Sequence, residues 1–133
     1  MISPKTVIST PEAPAVIGPY SQAIVAAASG TLVFCSGQIA LSPTTGQLVA
    51  SGDVVVQAEQ VMKNLEAVLR AVGCDFSHVV KTTIFLASLG DFAPVNEVYG
   101  RYFPSAPPAR STVQAAGLPR GALVEIEAIA QKP

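Results

Sequence analysis

Charged side chains are scarce in this chain, and the few that fall inside strand-like segments carry its clearest chemistry. Arg110 lies in the run Pro107-Pro-Ala-Arg-Ser-Thr-Val-Gln114, and Glu125 and Glu127 sit two residues apart in Val124-Glu-Ile-Glu-Ala-Ile-Ala130. The two-residue period of a strand puts Leu123, Glu125, Glu127 and Ile129 on one face and Val124, Ile126, Ala128 and Ala130 on the other. Arg110, Thr112 and Gln114 share a face of the partner strand. An arginine fork receives a carboxylate through two parallel hydrogen bonds and keeps its proton. A carboxylate can in turn hold a water and take its proton. The same charges also fit a plain ion pair between Arg110 and Glu125 or Glu127, and the residues alone favour that pairing.

Other candidates are weaker. In Ile17-Gly-Pro-Tyr-Ser-Gln22, Gly18-Pro19 makes a rigid turn that either presents the Tyr20 hydroxyl or lets the ring cover the core. Gly37, inside Cys35-Ser-Gly-Gln38, reads as a bulge or as a close approach of ligand to backbone. His78, the single histidine, reads as a surface residue at a loop-to-strand boundary. Cys35 reads as a small buried hydrophobe, and Cys74 as exposed in the Gly73-Cys74-Asp75 loop. The two cysteines have no metal-ligand spacing, and no phosphate loop, dinucleotide fingerprint, HExxH or GxSxG is present. No metal and no cofactor is expected. The chemistry open to such a set has a low intrinsic barrier, served by positioning, electrostatics and one proton-handling carboxylate.

These residues must be held by a chain of 133 residues, 50% hydrophobic and 13% charged, with a mean hydropathy of +0.46. That length predicts one domain over 1–133, and the surplus of apolar residues predicts a homo-oligomer. A net charge of −1 with scattered Lys and Arg argues against nucleic-acid binding, which needs clustered cations. No apolar run approaches the ~20 residues of a membrane span. The N-terminus lacks a basic region leading into an apolar core, so no signal peptide is expected and the default location is cytoplasmic.

Apolar and turn residues predict a weak strand at about 5–8 and a hairpin of 22–28 with 31–39 about Ser29-Gly30. A loop follows over 41–52. Val54, Ala58, Val61, Met62, Leu65, Val68, Leu69 and Val72 fall at helical spacing, with Asp53 as N-cap, Gly73 as stop, and Gln57, Glu59, Lys63, Glu66 and Arg70 as the wet side. A strand over 79–86, a helix capped by Asp91 and running to about Phe103, and strands over 110–116 and 122–130 complete the order βββαβαββ. This is an α+β pattern: a mixed sheet with two helices on one face, the other face needing a partner.

Taken in order, Ile17-Gly-Pro-Tyr20-Ser-Gln22, Cys35-Ser-Gly-Gln38, Gln57…Asn64-Leu65, Val95-Asn-Glu-Val-Tyr99, Pro108-Ala-Arg-Ser111 and Val124–Ala130 strongly resemble the Rid (YjgF/L-PSP) family over about residues 5–131. The chain is similar to its RidA branch of 2-iminobutanoate/2-iminopropanoate deaminases. The resemblance implies a chorismate-mutase-like fold and a homotrimer with sites between subunits. It also implies cofactor-free hydrolysis of reactive enamines and imines, such as 2-aminoacrylate and 2-iminopropanoate, to 2-oxo acids and ammonia. By the same resemblance Arg110 binds the substrate carboxylate, Glu125 holds the attacking water, and Tyr20, Gly37 and Asn96 line the site. Thr112, a cysteine in many relatives, would contact substrate through its backbone. Glu127 has no assigned role. A non-enzymatic 2-oxo acid-binding trimer and an endoribonuclease or translation inhibitor are the rival readings.

Overall fold

A computed structural model of the chain describes residues 5–27 and 29–132. The elements follow the expected βββαβαββ order: β1 (Thr6–Ile8), β2 (Ala23–Val25), β3 (Thr31–Gln38), α1 (Val54–Ala71), β4 (Val79–Leu86), α2 (Phe92–Arg101), β5 (Ala109–Gln114) and β6 (Val124–Lys132). The main sheet has the strand order β3-β6-β4-β5. Its β3–β6 and β6–β4 pairs are antiparallel and its β4–β5 pair is parallel. The fold is therefore α+β with a mixed sheet.

The 3.6-residue period of α1 puts Ala58, Val61, Met62, Leu65 and Leu69 into the core, all nearly inaccessible. Asp53 caps the helix by accepting from the Val56 backbone N–H at 3.1 Å, and Gly73, with φ +78°, ends it in the left-handed conformation. Against this layer the sheet sends Ile84 and Leu86 from β4 and Val124, Ile126, Ala128 and Ala130 from β6, and α2 sends Val95, Val98 and Tyr99. Gln57, expected on the wet side, is fully buried instead. Its amide donates to the Ala50 carbonyl at 3.2 Å and accepts from the Leu123 N–H at 2.9 Å. It thereby stitches the entry of β6 to the first turn of α1.

Strand pairing departs from expectation twice. The expected hairpin of 22–28 with 31–39 does not form: β2 pairs with β1 as a separate two-stranded ribbon, and Ala28 lies outside the described residues. The connecting turn is held by the Gln131 side chain, which accepts from the Ala27 N–H and donates to the Ser29 carbonyl. β5 also does not pair with β6, because β4 lies between them. A parallel β4–α2–β5 crossover satisfies β5 on the far side of β4, and residues 115–123 carry the chain back across.

Smaller differences have local causes. Asp91 makes no capping hydrogen bond; Ser88 instead accepts from Gly90 N–H to start a short 3-10 turn ahead of α2. The expected surface position of His78 and exposed position of Cys74 do not hold. The His78 side chain is only 9% exposed, with Nδ1 accepting from the Asp75 N–H at 2.9 Å, and Cys74 is buried. Cys35 is buried as expected.

The face of the sheet opposite the helices is uncovered and carries exposed apolar side chains. Phe34 there is 72% exposed and Leu32 51%, beside Glu125, Glu127 and Ile129. Replacing Gln57 with Leu leaves the Leu123 N–H unpaired, while the Ala50 carbonyl keeps the Asp53 N–H at 2.9 Å; the orphaned donor costs about 1–3 kcal/mol. Urea unfolding of Gln57→Leu should show that loss as a lower midpoint at unchanged slope, and an unchanged midpoint would contradict the stitching role.

Candidate functional site

Arg110 projects from edge strand β5 toward α2. It is the register partner of Thr82 on β4, so its side chain leaves the sheet on the helix-bearing face. There it lies half-buried among three rings, its guanidinium carbon 5.3 Å from the centroid of Tyr20, 5.6 Å from that of Phe92 and 5.1 Å from that of Tyr99. Its Nη1 donates to Asn96 Oδ1 at 2.6 Å. Phe92, Asn96 and Tyr99 lie one helical turn apart on α2 and so present one face to it. Tyr20 arrives from the other side because Ser21 docks on the entry to β5. The Ser21 N–H donates to the Pro108 carbonyl at 3.1 Å and the Ser21 hydroxyl to that of Pro107.

No carboxylate pairs with Arg110 among the described residues; the Lys/Arg–carboxylate ion pairs there are Glu66–Arg70 and Glu97–Arg101. Burial lowers the Arg110 pKa, while Tyr99 and Tyr20 push it up. The group stays a cation at any physiological pH. A cavity of about 400 Å³ opens beside it, lined by Tyr20, Leu89, Phe92, Arg110 and Thr112. A half-buried guanidinium with no carboxylate partner among the described residues, at the wall of a small, partly apolar cavity, has the chemistry to receive a small carboxylate. Gly18, at φ +111°, passes close by: a side-chain carbon there would sit 3.4 Å from Asn96 Nδ2 and 4.0 Å from Arg110 Nη2.

The sequence-predicted residues fall into two groups. Arg110, Tyr20, Asn96 and Thr112 come together. Tyr20 does not present its hydroxyl outward; the oxygen accepts from the Ile17 N–H at 3.2 Å, and the ring face is what meets Arg110. Thr112 lines the same cavity, with its Oγ1 buried and unpartnered. Glu125 and Gly37 form the second group. Glu125 is the register partner of Phe85 and flanked by core residues Val124 and Ile126, so it leaves the sheet on the uncovered face. It lies over Gly37, where any side chain would collide with its carboxylate. Gly37 lies within the register shift between Cys35 and Gln38 on β3. Glu127 shares that face, opposite Thr83, and is exposed. The simple ion pair of Arg110 with Glu125 or Glu127 is excluded within one chain, because the sheet separates them.

Sequence reasoning missed Leu89, Phe92, Tyr99 and Thr82. The spacing 92, 96, 99 was the available signal, but an aromatic stripe on a helix reads first as core.

The family model described as Endoribonuclease L-PSP matches residues 10–132. The chain belongs to the endoribonuclease L-PSP family. It is 64% identical over 123 residues to Protein DfrA of Myxococcus xanthus, covering 92% of each chain. It is 54% identical over 126 residues to the 2-iminobutanoate/2-iminopropanoate deaminase of Mus musculus, covering 95% of this chain and 90% of that one. Among solved structures it is similar to E. coli TdcF with bound serine, with a TM-score of 0.72 and 40% identity over 96% of this chain and 99% of that one. The two-helix mixed-sheet architecture is that of the L-PSP structures.

In this L-PSP chain the Gly37–Glu125 contact gives a direct test. Gly37→Ala should leave the melting temperature nearly unchanged while the displaced Glu125 lowers imine turnover about tenfold or more. Full activity in Gly37→Ala would show that the position of Glu125 does not matter.

Proposed function

We propose that this chain is a 2-iminobutanoate/2-iminopropanoate deaminase, acting as one L-PSP domain along its length. It hydrolyses small enamines and imines next to a carboxylate to 2-oxo acids and ammonia. The observation that carries this reading is Arg110, a half-buried cation with no counter-charge among the described residues, at the wall of a cavity of about 400 Å³. The names of relatives at about half identity over most of the chain support it. So does the relative solved with serine, a small molecule bearing a carboxylate.

The chemistry needs little equipment. An imine carbon beside a carboxylate is already electrophilic. Arg110 fixes the carboxylate and Glu125 orients a water and accepts its proton as the oxygen adds to that carbon. The proton passes from Glu125 to the nitrogen of the resulting carbinolamine; the carbon–nitrogen bond then breaks as the added hydroxyl gives up its proton and becomes the 2-oxo group, and ammonia leaves with both protons of the water. Tyr20, Asn96, Gly37 and the Thr112 backbone shape the pocket around these events.

One chain cannot bring Arg110 and Glu125 to one substrate, since they lie on opposite faces of its sheet. A second copy must supply the missing half. The uncovered apolar face with Phe34 and Leu32 is the surface for that assembly, in a chorismate-mutase-like homotrimer with sites between subunits. The RNA-cleaving activity in the family's name finds no basic stripe here; the net charge is −1.

The test is loss of 2-aminoacrylate generated in place from serine by a dehydratase. Wild-type protein should speed pyruvate and ammonia release, and Arg110→Ala should abolish that effect with the oligomer intact. Full activity in Arg110→Ala would overturn the anchor. Glu125→Gln should lower kcat by about 10²–10⁴ while 2-oxo acid binding changes little; equal loss of both would make Glu125 structural.

A further inference from the structure

We propose that Tyr99, locked by Thr82, is the positioning residue that sets the plane of the Arg110 guanidinium for two-point capture of the substrate carboxylate. This rests on the deaminase reading and adds a role to residues that touch no substrate. Tyr99 is fully buried and Thr82 is 1% exposed. Their hydroxyls meet at 2.7 Å. Thr82 is also the residue directly beside Arg110 across the β4–β5 ladder. The hydroxyl pair therefore pins α2 to the sheet at the register of Arg110, and no other described hydrogen bond links the side chain of Tyr99 to the sheet.

The consequences for Arg110 are geometric. The Tyr99 ring is the nearest of its three aromatic neighbours, at 5.1 Å, and comes from the same helix face as Asn96, which holds Nη1 at 2.6 Å. A guanidinium is attracted to a ring face and held best when its own plane cannot swing. With Asn96 occupying Nη1, the remaining donors point where the ring permits. A carboxylate needs two of them side by side, so a tilt of a few tens of degrees replaces two-point capture with one bond. Tyr99 itself is excluded as a proton donor to substrate. Its oxygen is engaged with Thr82, and burial pushes its pKa to about 12, so it stays neutral.

A purely structural tyrosine would lower stability and leave carboxylate recognition alone, and the experiment separates the two. Tyr99→Phe keeps the ring and frees it from Thr82; Thr82→Val removes the partner. Each variant should raise KM for the imine, and the Kd for 2-oxobutanoate, about fivefold with kcat within about twofold. The double variant Tyr99→Phe/Thr82→Val, which leaves no unpaired hydroxyl, should recover stability but not KM. In an Arg110→Lys background, with no fork to orient, Tyr99→Phe should change KM no further. Should Tyr99→Phe fail to fold, Thr82→Val carries the same readings. Unchanged KM and Kd in a folded single variant, or an equal rise in the Arg110→Lys background, overturns the positioning role alone. Wild-type protein that neither turns over imine nor binds 2-oxobutanoate overturns the deaminase reading, and the positioning role with it.

Discussion

Taking a guanidinium half out of water is unfavourable unless something replaces its hydration, and the usual remedy is a carboxylate partner. Around Arg110 the remedy is instead three ring faces and one amide oxygen. These hold the cation without neutralising it, so its attraction for an incoming anion is kept in reserve. Every element near the site answers to that requirement. β4 supplies the ladder that fixes the Arg110 backbone, α2 supplies Phe92, Asn96 and Tyr99, and Ser21 seats Tyr20 on the opposite side.

The order β3-β6-β4-β5 has a second consequence. It places the arginine and the glutamate on different faces of one sheet, two strands apart. Under the proposed reaction, a site divided in this way is inert in an isolated chain and complete only in an assembly. The proposed reactive step is then tied to oligomerisation, for which the exposed Phe34 and Leu32 offer apolar surface.

Much of this could be read from the residues. Asp53, the α1 stripe and Gly73 are local signals, and the helix forms between them as expected. Alternation along β6 correctly separated the core set from the glutamates. What failed were relations between segments. Residues 115–123 look like a hairpin connection, yet parallel pairing with β4 takes β5 away, a choice made by the α2 crossover and invisible in either strand. Gln57 looked wet because its type is polar, whereas its partners, Ala50 and Leu123, come from distant positions. Tyr99 and Phe92 carried no site signal of their own for the same reason: the arginine they face is brought in by tertiary structure.

The division of the site between copies is the central claim, and subunit mixing tests it most directly. Arg110→Ala and Glu125→Gln proteins, each inactive alone, are refolded together in equal amounts. If one copy supplies the arginine and another the glutamate, about one quarter of all sites in the randomly reassembled population pair two intact halves, and that share of wild-type activity should return. Mixed oligomers that form but stay as inactive as the separate variants would contradict it.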